Sequence, residues 1–494
     1  MSPSNQLPAV SPVARRRRGG PLLETIDVAL ETITPLLGGG VCPREVDRIT
    51  PVRVASIRGG LRMWWRALHV HEYAGDGAVG AAALAAREAE LWGAMGRGDE
   101  DPRRSAVDVW VTDVTDVDAD LERWIDNSDV KPGDEGAYAL WPARREKRNN
   151  RPPAERWRPG LRFRLHVRAP SGLMSEIAHT IRAWLLFGGL GSRTRRGVGS
   201  LALAGGRSDE SRAVDARSWL PESLTVAECA RLLGPVALTG PDSEGVGKAC
   251  ETPGLHGATL VFGKPGKPDD AAGAWQRALT WLYDFRQLAA PRGAQGRDSE
   301  RYAREGPPRH VRGNGRSRYR AGRSNWPESD KIRALSGRNR RWAHEIRHPA
   351  QAPAWPRAGF GLPLPGQFQG NDRHDDQPYR HKDPGAFEIT WRDASGELRS
   401  RLASPLIVKA LPLADGRFAP IALWLHRAYP DGVVGMVDKR SRGRKRLVEG
   451  SEAPFDRLRA PGDPVLYTPL AADSLRAAFC DWLLAKSDVE RIDS

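Results

Sequence analysis

Cysteine is scarce in this chain. Cys42, Cys229, Cys250 and Cys480 are scattered over 494 residues with no CxxC pair, which excludes a cysteine-based zinc site and a disulfide framework. Free thiols in a cytoplasmic protein are the expectation. No apolar run is long enough to span a bilayer. The run Arg15 to Arg18 leads into Gly-Gly-Pro-Leu-Leu-Glu instead of the hydrophobic core of a secretion signal. Nucleotide-binding signatures are missing too. There is no GxxxxGK[ST], and Gly189-x-Gly191 is followed by Thr194 where GxGxxG needs glycine. Acidic side chains are outnumbered, 61 against 76 Lys and Arg, for a net charge of +15. That excess points to an anionic partner, nucleic acid before a membrane surface. Tryptophan is abundant at 17 residues and the hydrophobic share is 40%, so general disorder is excluded. A chain of this length holds two domains or more.

The most distinctive stretch is FGGLGSRTRRGVGS, Phe187 to Ser200. It places Gly188, Gly189, Gly191, Gly197 and Gly199 beside Arg193, Arg195 and Arg196, with no acid among them. Clustered glycines mark a backbone that turns tightly or passes close to something. Backbone N–H groups in such loops form concavities that suit anions, and Ser192 and Thr194 add hydroxyl donors. Arginine grips phosphate bidentately. The composition fits a polyphosphate backbone better than a single nucleotide; a basic hairpin left in solvent is the plain alternative.

What precedes the loop is regular. Leu161, Phe163, Leu165 and Val167 alternate with basic residues, the period of a strand with one buried face. From Leu173 the apolar stripe Ile177, Ile181, Trp184, Leu185 has helical spacing, with Gly188 and Gly189 at its C-terminal end. Upstream, SIRGGLRMWWRAL predicts a helix over 56–70, capped by Ser56, with Ile57, Leu61, Trp64 and Leu68 inward. Arg58, Arg62 and Arg66 repeat every fourth residue on another face, with Glu45, Asp47 and Glu72 as the nearest acids in sequence. This face is expected to offer cations outward, and the tryptophan pair to be core. Leu36-Leu37 and the glycines at 38–40 form a second place of close backbone approach. The order β (23–33), α (56–70), β (107–117), β (161–168), α (173–187), β (198–203) is a split βαβ, ferredoxin-like pattern.

The helix followed by GGLGSRTRRGVGS resembles the glycine-rich loop of RAMP proteins, the RNA-binding subunits of CRISPR systems, and the IRG-LR-WWRAL helix resembles the head RAMP subunit of Cmr-type, type III-B effectors. Residues 323–335, 359–363 and 401–409 are similar to later motifs of that family. The resemblance implies an α+β fold of two ferredoxin-like (RRM-like) βαββαβ modules with long basic insertions. A basic tail occupies 1–21, the first module 22–204 and the second 220–488. It also implies a non-catalytic RNA binder with no cofactor and no small-molecule substrate. Its partners would be CRISPR guide RNA, held near its 3′ region, target RNA and the other Cmr-type RAMP subunits. A metal-independent endoribonuclease processing CRISPR transcripts and a stand-alone basic RNA-binding protein are the alternatives.

Residues 292–347 carry sixteen Lys or Arg against six acids, so an insertion that contacts RNA or stays solvated is expected there. Arg320 and Arg323 join the candidate contacts, and Tyr319 and Trp326 suit base stacking. Catalytic signals are weaker. His69 and His71 could act as acid and base, but at i, i+2 they point to different sides. His344-Glu345-Ile-Arg-His348 matches HExxH, yet Pro349 follows, the flanks are basic and no third ligand is evident, so a chance match is favoured. Asp372, Asp375 and Asp376 fall in a turn-rich loop.

Overall fold

In the computed structural model, residues 21–492 are described except 77, 97–101, 147–148, 206–214, 267–269, 288–308, 312–317, 321–325, 329–330, 333–353, 367–385, 400, 439–449, 453–454 and 464–467. The fold is α+β with antiparallel sheets.

The first sheet is built from β1 (Leu23–Thr32), β2 (Asp108–Thr112), β3 (Arg162–Pro170) and β4 (Leu201–Leu203). Its order is β2-β3-β1-β4, and every neighbour is antiparallel. The register sets Val28 against Leu165 and Ile26 against Val167. The alternation read from the sequence therefore falls on one buried face, as the two-residue period requires. Helix α1 (Val54–His69) and, after an intervening helix α2 (Ala78–Trp92), helix α3 (Met174–Phe187) supply the two crossovers. Strand, helix, strand, strand, helix, strand with this sheet order is what a split βαβ unit requires.

The second sheet repeats that order. It consists of β5 (Gly254–Gly263), β6 (Leu406–Pro412), β7 (Phe418–His426) and β8 (Val489–Arg491), arranged β6-β7-β5-β8 with antiparallel neighbours. Its crossover helices are α4 (Ala271–Gln287) and α5 (Leu475–Leu484). The long stretch between α4 and β6, and the one between β7 and α5, contribute a third sheet. It holds Leu364–Gly366, Phe387–Asp393, Gly432–Asp438 and Gly450–Glu452 around a small core of its own.

The modules stack. Ile407, Leu411, Ile421 and Leu423 share a core with α1 and α3 of the first module, whereas Val408, Ala410, Ala422 and Trp424 join the core of α4 and α5. The second sheet is thus covered on both faces, and all seven residues of β6 are buried. A strand buried on both sides has no polar face and no alternation to read, which is why its sequence, LIVKALP, carries no period.

Several sequence expectations change. Helix α1 begins at Val54 with Arg53 as its cap, and Ser56 is an exposed helical residue, not the cap. Trp326 is fully buried, its indole N–H donating to the Arg286 carbonyl at 2.7 Å and its ring edge-on to Phe285. It is core, not a stacking platform. The tail 1–20, the HExxH match, the aspartates at 372–376 and Arg323 lie outside the described residues. Arg320 ends a short strand, Arg318–Arg320, paired with Arg309–Val311.

Candidate RNA-binding site

Helix α3 ends at Phe187, and the glycine-rich loop then folds back on the first module. The Leu190 N–H donates to Gly199 O and the Gly199 N–H to Pro35 O, both at 2.9 Å. Ser192 donates twice to the Leu37 carbonyl, from its backbone at 2.8 Å and its hydroxyl at 3.0 Å. The loop and the Gly38–Gly40 segment, singled out separately in the sequence, therefore meet.

The glycines have a specific reason. Gly191 has φ of 75° and Gly197 φ of 72°, a region open to glycine and costly for other side chains. A side chain at Gly191 would meet Leu36 at 2.5 Å, and one at Gly197 would meet Trp275 of α4 at 2.5 Å. The close approach expected at these glycines is thus to the protein's own backbone and rings.

The loop also plugs into the second module. The Trp275 indole N–H donates to Arg196 O at 2.7 Å, and the Arg196 guanidinium donates to Leu406 O at 2.9 Å. Burial lowers the Arg196 pKa to about 9. Lys409 of β6 is fully buried and donates to Gly188 O at 2.9 Å and more weakly toward Leu185 O at 3.5 Å. It binds the free carbonyls at the C-terminus of α3, where a cation suits the helix dipole. Burial without a neighbouring carboxylate lowers its pKa to about 7.

Two sets of candidate arginines separate here. Arg62 and Arg66 both bind Glu88 of α2 at 2.7 Å, and Arg58 donates to the Trp92 carbonyl. The outward, unpaired cation face expected of α1 is corrected: its arginines tie α1 to α2. Glu88 is nearly buried and lies more than twenty residues on in sequence, so helical spacing within α1 could not reveal it. Arg193, Arg195 and Arg196 form no ion pair among the described residues. Burial lowers the pKa of all three, and the nearby cations Arg427 and Arg286 lower those of Arg195 and Arg193 further. The Arg195 Nε is buried without a partner. A cluster of desolvated cations without carboxylates favours an anion from outside.

The loop walls a cavity of about 470 Å³. Gly188, Gly189, Gly191, Ser192, Thr194 and Arg195 of the loop line it together with Ser56, Gly60, Met63 and Trp64 of α1 and Ile407 of β6. The first sheet's open face differs. There Arg162, Arg164 and Arg168 of β3 pair with Glu31, Asp27, Asp113 and Asp108, leaving a charge-balanced surface.

The histidines considered for acid–base work are engaged elsewhere. His69 Nδ1 lies 2.8 Å from Glu72, and the His71 ring stacks on His256 at 4.3 Å between centroids. Burial, and then His256, holds the His71 pKa below its ordinary value. No group of three or more His, Cys, Asp or Glu among the described residues is placed to hold a metal ion. No helix among them is long and apolar enough to cross a membrane.

The sequence model of the RAMP superfamily matches residues 29–202, the segment bearing the arginine helix and the glycine-rich loop. Among solved structures the chain is similar to Cmr1 from Pyrococcus furiosus in its apo form. The likeness has a TM-score of 0.40 and 16% identity, covering 88% of this chain and 95% of that one. No curated protein matches the chain.

Proposed function

We propose that this protein is a non-catalytic RNA-binding subunit of a Cmr-type, type III-B CRISPR ribonucleoprotein acting in antiviral defence. The single observation that carries the reading is the arginine cluster of the glycine-rich loop, which has no carboxylate partner among the described residues and of which Arg195 lines an open cavity. Such a cluster recognises phosphate without reading sequence. The RAMP match over 29–202 contains that loop, and the Cmr-type motifs of the sequence supply the subunit class. In this role the chain holds the 3′ region of the guide RNA and the paired target RNA, beside other Cmr-type RAMP subunits in the cytoplasm.

The test has two parts. Purified protein incubated with CRISPR repeat RNA in EDTA should bind the RNA and leave it intact; metal-independent cleavage would make it the processing nuclease instead. Affinity capture of the tagged protein from its host should recover CRISPR RNA and RAMP subunits. Recovery of mixed cellular RNA without partner subunits would leave a stand-alone RNA-binding protein.

A further inference from the structure

The cavity beside the glycine-rich loop carries more than a phosphate track. No carboxylate lines it. The Trp64 indole N–H makes no hydrogen bond among the described residues, the Arg195 Nε is buried and unpartnered, and Ser56 and Thr194 contribute hydroxyls. The N–H groups of Gly189 and Gly191 likewise make no hydrogen bond within the protein among the described residues. Met63, Phe187 and Ile407 add apolar lining to the cavity. Its volume of about 470 Å³ falls in the range of sites that enclose a small molecule, about 300–1,000 Å³.

A phosphate track needs only an open surface, since contacts to the backbone leave the bases outside. A recess that combines hydrogen-bond donors with apolar side chains fits a whole nucleotide. The donors suit the phosphate and the edge of the base, and the apolar side chains suit the base face. We infer that this cavity receives one nucleotide of the bound RNA, turned out of the strand, with its phosphate on the Gly189–Arg195 side and its base against Met63 and Ile407. The inference rests on the RNA-binding reading of the loop. Both modules contribute, since Ile407 comes from the second and the rest of the wall from the first. The pocket is therefore complete only while the modules remain stacked.

The probe is a single-stranded RNA of about a dozen nucleotides that the protein binds, synthesised intact and as a series with one abasic nucleotide moved along it. Covering the face of a base with apolar side chains takes enough surface from water that removing the base should weaken binding about tenfold. The wild-type protein should show that loss at one position of the series and little at the others. Ser56→Trp sets an indole at the mouth from an exposed helical position, so the melting temperature should hold. This variant should bind intact RNA about as weakly as wild type binds the sensitive abasic RNA, with no further loss when the base is removed. A flat abasic series with tight binding would overturn the nucleotide pocket and leave the RNA-binding reading standing. So would a Ser56→Trp protein that keeps the same sensitive position. Loss of all RNA binding by the wild-type protein, alone and in its ribonucleoprotein, would overturn both.

Discussion

Lys409 Nζ lies 2.9 Å from the carbonyl oxygen of Gly188, so a strand of the second module caps the helix that launches the first module's glycine-rich loop. The ammonium is fully buried, and its amine sits at the only polar notch in an otherwise apolar strand, LIVKALP. The loop's position thus depends on contacts made by both modules.

That lysine gives stability a definite pH dependence. Its folded pKa is lowered to about 7 from 10.5, so between those values the unfolded chain binds more protons than the folded one. Stability from this group is therefore lowest below pH 7 and rises as pH increases toward 10.5, by at most about 1.4 kcal/mol per pH unit. The unfolding free energy of wild type minus that of Lys409→Met should rise between pH 7 and 9, in denaturant titrations. A constant difference across that window would mean that the buried amine does not titrate there.

The loop arginines should divide by role. Replacing Arg193 and Arg195 by Ala should weaken binding to unrelated single-stranded RNAs by similar factors and make log K against log salt shallower by about 1.4 if both engage phosphate. Arg196→Ala should also lower the melting temperature, because it removes the bond to Leu406 O. An unchanged salt slope in the double variant would make the loop a structural plug only.

Arginines 62 and 66 should behave in the opposite way. Removing both leaves Glu88 nearly buried and unpaired, at a cost of about 1–3 kcal/mol. Adding Glu88→Gln should recover part of that loss in thermal melts. The RNA salt slope should stay at the wild-type value throughout. A shallower slope in the paired-arginine variant would restore α1 as an RNA face.

Trp64 is 3% exposed and its ring lies 5.9 Å from that of Phe187. Trp64→Ala should destabilise the protein by about 3–5 kcal/mol, measured by chemical denaturation. Gly197→Val should be destabilising as well, because its side chain would strike the Trp275 ring, even though net charge is unchanged. The glycine variants therefore report on the junction of the modules before they report on RNA.

Much of the first module was legible in the sequence. Its sheet has one buried face, so Leu165 and Val167 alternate with basic residues, and α1 shows a plain stripe of Ile57, Leu61, Trp64 and Leu68. Local periodicity encodes such elements because each buries one side against a single neighbour. The glycine-rich loop declared itself by composition. Its partners did not: Glu88, Lys409, Trp275 and Ile407 reach the site from distant positions, and no spacing within a segment encodes a contact between segments. The second sheet escaped periodicity because it is covered on both faces, which removes the polar alternation. Sequence alone determined which elements form in the first module and where the cations are concentrated. Only the tertiary structure decided which cations are already paired, because neutralisation depends on proximity in space, and buried carboxylates such as Glu88 arrive there through packing.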